Sequence, residues 1–355
     1  MSKISKILAR EIIDSRGNPT IEVDVILKNS ITGRASVPSG ASTGKFEAIE
    51  LRDNDPNRFL GKGVLSAIKS VNNEIDTELN GFDPSDQNLI DKTLIKLDGT
   101  KNKSRLGANA LLGTSLAVAR AASKLNNLPL WKYLGNENSN LLPIPMMNII
   151  NGGAHANNSL DFQEIMIMPI GAENFFQAIQ WASEIFQNLK IILHKKGFST
   201  SVGDEGGFAP EIKSIEEAFS YVSESIIQSN KSIGKDVFFA VDAAASELYK
   251  NGKYELLGIN KTFDTQEMIE YWSTLSKNFP ILSIEDPLEE NDFVGFAKLT
   301  SLIGNKTQIV GDDLFATNTE RLLFGISKKS GNTILIKVNQ IGTLTEAVDA
   351  VQTAK

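Results

Sequence analysis

FFAVD (238–242), ILSIE (281–285), QIVGD (308–312) and ILIK (334–337) decide how this 355-residue chain folds. Each is a short apolar run closed by one charged residue, in turn Asp242, Glu285, Asp312 and Lys337. The stretches between them are each long enough for one helix and its return, the pattern of βαβ units around a parallel sheet. In such sheets and barrels ligands sit at the carboxyl ends of the strands, so charges repeated at that edge face one shared site. Three carboxylates gathered there repel one another unless a cation lies among them. The spacing therefore predicts a metal-dependent active site.

Any one of these acids alone reads as the start of a loop or the cap of the next helix. Three in successive units, followed by a lysine, favour the metal reading. Oxygen donors without cysteine suit Mg²⁺ or Mn²⁺ better than zinc. Asp286 and Asp313 neighbour two of the sites, but strand alternation sends them the other way, so they are expected to be supporting or loop residues. Lys337 stands among apolar and uncharged neighbours. It serves either as a base with its pKa lowered by the metal or as an ion-pair partner of one of the acids.

A chain of this length suggests one large domain and a smaller one. Its net charge of −7 and lack of a basic patch argue against direct nucleic-acid binding. The absence of cysteine excludes disulfides and thiolate chemistry, and the charged N-terminus lacks the apolar core of a signal peptide. No apolar run reaches the ~18 residues that a membrane span needs. A cytoplasmic protein is expected.

Ile4–Ile13 and Thr20–Leu27 alternate like strands around an RGNP turn, and GRASVP continues as a third. Helical patterns follow near 62–80, 85–96 and 107–125. These predict an α+β cap domain over 1–134, with a polar linker at 135–141. From 142 to 355 the pattern is that of a barrel domain. It opens with two strands joined as an antiparallel hairpin, continues through two helices and then runs through the four strand units. Six strands are countable where a barrel of this kind closes with eight, and the helical pattern at the end carries no stop signal. We therefore expect an incomplete barrel and a chain that is part of a longer one.

VGDEGGFAP (202–210) places Asp204 and Glu205 between glycines, and Glu205 is a candidate proton donor. NGGAHANNSLDFQE (151–164) gathers His155, Gln163 and Glu164 between the first two barrel strands. A lone histidine is more often structural than catalytic, and both roles stay open for His155. The loop SGASTG (39–44) formally matches a nucleophile elbow around Ser42. Neither histidine is marked as its partner, and no G-K-[ST] of a phosphate loop follows, since Phe46 comes after Gly44-Lys45. It reads better as a lid whose hydroxyls close over the site, with Ser39 a candidate metal ligand.

EIIDSRGNPT, VPSGASTG, NGGAHANN with FQEIMIMP, VGDEGGFAP, VDAAASE, SIEDPLEENDF, VGDDLFATN and IKVNQIGTLTEA together resemble enolase (phosphopyruvate hydratase), in the family's order. The resemblance runs from near residue 5 to the last residue. It implies an N-terminal α+β cap on a ββαα(βα)₆ barrel, and a lyase that interconverts 2-phosphoglycerate and phosphoenolpyruvate in glycolysis and gluconeogenesis. It also implies two Mg²⁺ per site with Mn²⁺ as a substitute, and a homodimer formed through the cap domain. A cytoplasmic location follows, with family members also found secreted or at cell surfaces.

By that resemblance Asp242, Glu285 and Asp312 are metal ligands, and Ser39 lies in the loop over the second metal. Lys337 takes the carbon-bound proton. Glu205, helped by Glu164, gives a proton to the leaving hydroxyl, and His155 and Gln163 contact substrate. A lysine base beside Mg²⁺ is the general pattern of that superfamily, so its appearance here is no independent deduction. Enolases continue for roughly two more strand–helix units, carrying a His-Arg-Ser segment and a second lysine that hold the substrate's anionic groups. Neither is found in these 355 residues. Little activity is therefore expected of this chain alone, and the competing account is a non-catalytic, enolase-like binding or regulatory chain.

Overall fold

The structure, a computed structural model, describes residues 2–40, 44–203 and 205–355. Ser42 and Asp204 lie outside the described residues. The chain forms two compact units, one of Met1–Leu141, Ala316–Leu322 and Ile336–Lys355, the other of Leu142–Phe315 and Leu323–Leu335.

The first unit begins with the expected meander, β1 (Ile4–Ile13), β2 (Pro19–Leu27) and β3 (Thr32–Ser36), paired antiparallel in that order. Its first turn is tied by Asp14, whose Oδ1 accepts from the backbone N–H of Arg16 and of Asn18. Ile21, Val23, Val25 and Leu27 are buried on one face of β2. Each such side chain removed from water contributes ~1.5–3 kcal/mol. They pack in a core with Leu111, Leu112 and Val118 of α4 (Ala108–Leu125). Before α4 come α1 (Leu65–Ser70), a π-turn (Val71–Ile75), α2 (Asp76–Leu79) and α3 (Gln87–Asp98), and after it α5 (Leu130–Leu134). Edge strand β1 is covered by side chains: Ile7 N–H donates to Asp76 Oδ1 and Ala9 N–H to Asn72 Oδ1.

The second unit is built on a six-stranded sheet. β4 (Met147–Asn151), β5 (Glu164–Met168) and β6 (Phe238–Asp242) pair antiparallel, and β6 then pairs parallel with β10 (Ile281–Glu285). β11 (Gln308–Gly311) and β12 (Thr333–Ile334) continue the parallel part. Helices α6 (Phe175–Lys195) and α7 (Ile215–Gln228) separate β5 from β6. Phe219 of α7 stacks on Phe239 of β6 at 4.3 Å, so the apolar runs of the strands are sealed by helix side chains. This is the parallel-rich α/β architecture that the spacing of the strands predicts.

After β6 the chain forms a short helix α8 (Ala245–Leu248) and a small antiparallel sheet that the sequence did not suggest, β7 (Tyr249–Lys250), β8 (Lys253–Leu256) and β9 (Lys261–Phe263). Two- to four-residue strands are too short for an alternation to register. Helices α9 (Thr265–Asn278), α10 (Phe293–Ile303) and α11 (Thr319–Lys328) precede β10, β11 and β12 respectively.

The run ILIK does not continue as strand to Lys337, as the sequence suggested. β12 ends at Ile334, and Lys337 instead caps α12 (Val338–Ile341), which leads into α13 (Leu344–Ala354). Leu335 N–H still reaches Gly311 O, after which the helical turn claims the backbone. Among the described residues no helix is long and apolar enough to cross a membrane.

Candidate active site

Register places the acids. Glu164 of β5 pairs with Asp242 of β6, and Asp242 pairs with Glu285 of β10. Residues directly opposite across a ladder point to the same face, ~5 Å apart. Glu164, Asp242 and Glu285 therefore form one row at the ends of three neighbouring strands. On that face, further down the strands, lie Met166, Met168 and Ala240, an apolar floor beneath the charges.

Asp242 is held on both oxygens. Its Oδ1 accepts from Ala244 N–H at 2.9 Å and its Oδ2 from Gln163 Nε2, also at 2.9 Å. Glu285 pairs with Val310 in β11, and Asp312 follows two residues on, one past the end of that strand.

Asp286 is a supporting residue, as expected, though its side chain does not follow the strand alternation. It leaves the strand with φ of 40°, so alternation no longer governs it. Its carboxylate turns to the neighbouring strand end, where Oδ1 accepts from Asp312 N–H at 3.0 Å and Oδ2 from Asp313 N–H at 2.7 Å. Asp286, Asp312 and Asp313 bring ligand oxygens within 4.8 Å of one another. Burial, joined by the charges of Asp312, Asp313 and Asp242, holds the Asp286 carboxyl well above the usual carboxylate range. The signal that could have found it is the doubled acid in IEDP and GDDL.

A second cluster is assembled by glycines. His155 ends a 3₁₀ turn (Gly153–His155) after β4. A Cβ at Gly203 would stand 2.7 Å from His155 O, and one at Gly207 2.7 Å from Asn151 Oδ1. Only glycine lets the chain at 203 and at 207 run this close to the β4 end. The result brings His155, Glu164 and the exposed Glu205 together, with ligand atoms within 4.8 Å. His155 Nδ1 lies 3.3 Å from Glu164 Oε1, an ion-pair contact without hydrogen-bond alignment. That contact raises the imidazole pKa, opposed by burial and reinforced by the charges of Glu164, Glu205 and Asp242.

Asn151, which the sequence reading passed over as part of a turn, pairs with Glu164 and so extends the acidic row. It is fully buried, yet neither side-chain amide atom has a hydrogen-bond partner among the described residues. Such an orphaned polar group at a strand end is unusual away from a functional site.

Ser39 and Lys337 both belong to the first unit. Ser39 is half-buried, its Oγ donating to Glu50 Oε1 at 2.8 Å while Arg16 donates to its carbonyl. Lys337 is exposed, at the N-cap of α12, with its backbone N–H donating to Thr317 Oγ1.

The donor set suits a hard divalent cation. Asp242, Glu285 and Asp312 are all buried carboxylates, and Asp286, Asp312 and Asp313 bring oxygens close enough together to hold an ion. Oxygen-rich, sulfur-free sites of this kind match Mg²⁺ or Mn²⁺.

Family models match almost the whole chain. Residues 4–134 match the enolase N-terminal domain, and residues 139–355 match the enolase C-terminal TIM barrel domain. The chain belongs to the enolase family.

Proposed function

We propose that the protein carries out the Mg²⁺-dependent, reversible dehydration of 2-phosphoglycerate to phosphoenolpyruvate, as a cytoplasmic homodimeric lyase of glycolysis and gluconeogenesis. Family membership supports the reaction class. The single observation that carries the site reading is the row Glu164–Asp242–Glu285 at the strand ends, joined by the His155–Glu164–Glu205 cluster.

In this reading Asp242, Glu285 and Asp312 hold one cation, and Ser39 serves a second. Bound there, the cations supply positive charge against the extra negative charge that the substrate carboxylate gains when the adjacent carbon loses its proton. Lys337 takes that proton. Glu205, with Glu164 beside it, delivers a proton to the departing hydroxyl, so that water leaves. His155 and Gln163 orient the substrate, and the Gln163 amide at the same time fixes Asp242.

The test follows two signals: phosphoenolpyruvate formation, and exchange of the carbon-2 proton of 2-phosphoglycerate into heavy water. The exchange reports proton removal even where turnover is slow. Both signals should require Mg²⁺, and exchange should vanish in K337A. E205Q should keep exchange while losing dehydration. Wild-type protein that binds the substrate yet shows neither signal would favour the non-catalytic, enolase-like alternative.

A further inference from the structure

The turn that carries Lys337 is built with unusual care. Ala316 and Thr317 are consecutive non-glycine residues with φ of 47° and 51°. For a β-branched residue such as threonine this is a true outlier, costing on the order of 1–3 kcal/mol, and such strain persists only where the surroundings enforce it. Thr317 is fully buried, and its Oγ1 is the acceptor for the Lys337 backbone N–H at 2.9 Å. The same hydroxyl donates to Gln340 Oε1 at 2.9 Å.

Gln340 is itself buried, and it reaches in a second direction. Its Nε2 donates to Glu47 Oε1 at 3.3 Å, and its backbone carbonyl accepts from Ala48 N–H at 2.7 Å. Glu47 Oε1 also accepts from Gly44 N–H at 2.9 Å. Next to it, the Arg321 guanidinium lies 3.7 Å over the Phe46 ring. One amide side chain thus joins the Lys337 turn to segment 44–48, which follows the serine-rich loop. All of these residues lie within the first unit.

We propose that Gln340 is a positioning residue for Lys337: through Thr317 on one side and Glu47 on the other, it sets the Lys337 turn relative to segment 44–48. This rests on Lys337 being the base. A buried side chain that bridges two segments with opposite ends of one amide is sensitive to polarity as well as shape, since donor and acceptor cannot be exchanged freely.

The test is a reciprocal exchange. Gln340→Glu keeps the acceptor for Thr317 but sets a carboxylate against Glu47. In the double variant E47Q/Q340E the donor is on residue 47 and the acceptor on residue 340, so the bond between them is restored in reverse, while Gly44 N–H loses the oxygen it shared. Three readouts are taken: backbone hydrogen exchange of 44–48 and 337–342 without substrate, the pH profile of Lys337 labelling by an amine-acylating reagent, and the carbon-2 proton exchange rate.

Q340E should speed backbone exchange in both segments, shift the labelling profile of Lys337 and lower the proton-exchange rate about tenfold, a coupling typical of residues in one network. Its effect on the apparent affinity for 2-phosphoglycerate should be small. E47Q/Q340E should return all three towards wild type. Backbone exchange confined to residue 340's own turn, or a double variant no better than Q340E, would overturn the assignment. If K337A exchanges the carbon-2 proton as fast as wild type, the base reading fails, and the role of Gln340 in the reaction falls with it. If K337A is inactive while Q340E leaves labelling and proton exchange unchanged, the base reading stands and only the Gln340 assignment is lost.

Discussion

Gln163 Nε2 donates to Asp242 Oδ2 at 2.9 Å, across the end of the β5–β6 pair. The bond fixes the rotamer of a carboxylate whose other oxygen is held by Ala244 N–H, so that Asp242, in its proposed role as a ligand, would meet a cation already oriented. Gln163→Leu removes the donor and keeps the bulk. Loss of such an outer partner typically weakens metal affinity by about 10–100-fold. Calorimetric Mg²⁺ titration of Q163L should show a weakening in that range with little change in thermal stability. Unchanged Mg²⁺ affinity would mean that Asp242 is not a ligand, or that Ala244 alone suffices to orient it.

Asp286 supports rather than competes. It accepts from the amides of both Asp312 and Asp313, so it fixes the strand end from which Asp312 projects. Asp286→Ala strands two backbone N–H groups, each costing about 1–3 kcal/mol when left unpaired. Urea unfolding should show D286A destabilised by about 2–6 kcal/mol by the same arithmetic. D286N, which still offers one acceptor, should lie between D286A and wild type. Equal stability of D286N and D286A would show that these two hydrogen bonds do not account for the effect.

The acidic row was legible because parallel strands read as continuous apolar runs, and a charge that ends each one has few other places to go. Register then does the rest, setting Asp242 opposite Glu285. The supporting role of Asp286 was legible, but not its direction, since a single left-handed residue cancels the alternation on which its placement was argued. The end of the chain was half legible. GTLTEAVDAVQTAK announces an amphipathic helix, and α13 forms, but periodicity says only that one face is buried and not against what. Its grouping with the N-terminal meander depends on contacts that sequence does not record, chiefly those of Asp91, Ser115 and Lys103. Likewise Glu205 stood out for its glycines, while its meeting with His155 required the close approach of Gly203 and Gly207 to the β4 end.

His155 gives the site a pH signature. Its imidazole pKa is raised, first by the Glu164 contact, with burial opposing and the charges of Glu164, Glu205 and Asp242 adding to the rise. The folded value therefore exceeds the unfolded value of about 6.5. The folded state holds the proton more tightly, so this stabilisation is fully present below about pH 6.5 and fades as pH climbs through the folded value. In metal-free protein, the stability difference between wild type and His155→Gln should shrink steadily from pH 6 to pH 9. A difference that grows over the same range would contradict the proposed charge contact.

The N-terminus of α13 is anchored by a buried acid. Asp91 Oδ2 accepts from Thr345 N–H at 2.9 Å and from Thr345 Oγ1 at 2.6 Å, while Leu344 N–H donates to Ser115 Oγ. Burial pushes the Asp91 carboxyl above its ordinary range, and the bonds from Thr345, Ser115 and Gln87 pull it back. Asp91→Ala removes the acceptor for an orphan helix amide and the negative group beside it, two effects that together cost about 2–3 kcal/mol. Thr345→Val removes only the hydroxyl partner and should cost about 1 kcal/mol. Hydrogen exchange over 344–354 should accelerate strongly in D91A and slightly in T345V, with β1–β3 unaffected. If exchange instead rises equally throughout the first unit, Asp91 acts on that unit as a whole and not as a local anchor for the helix.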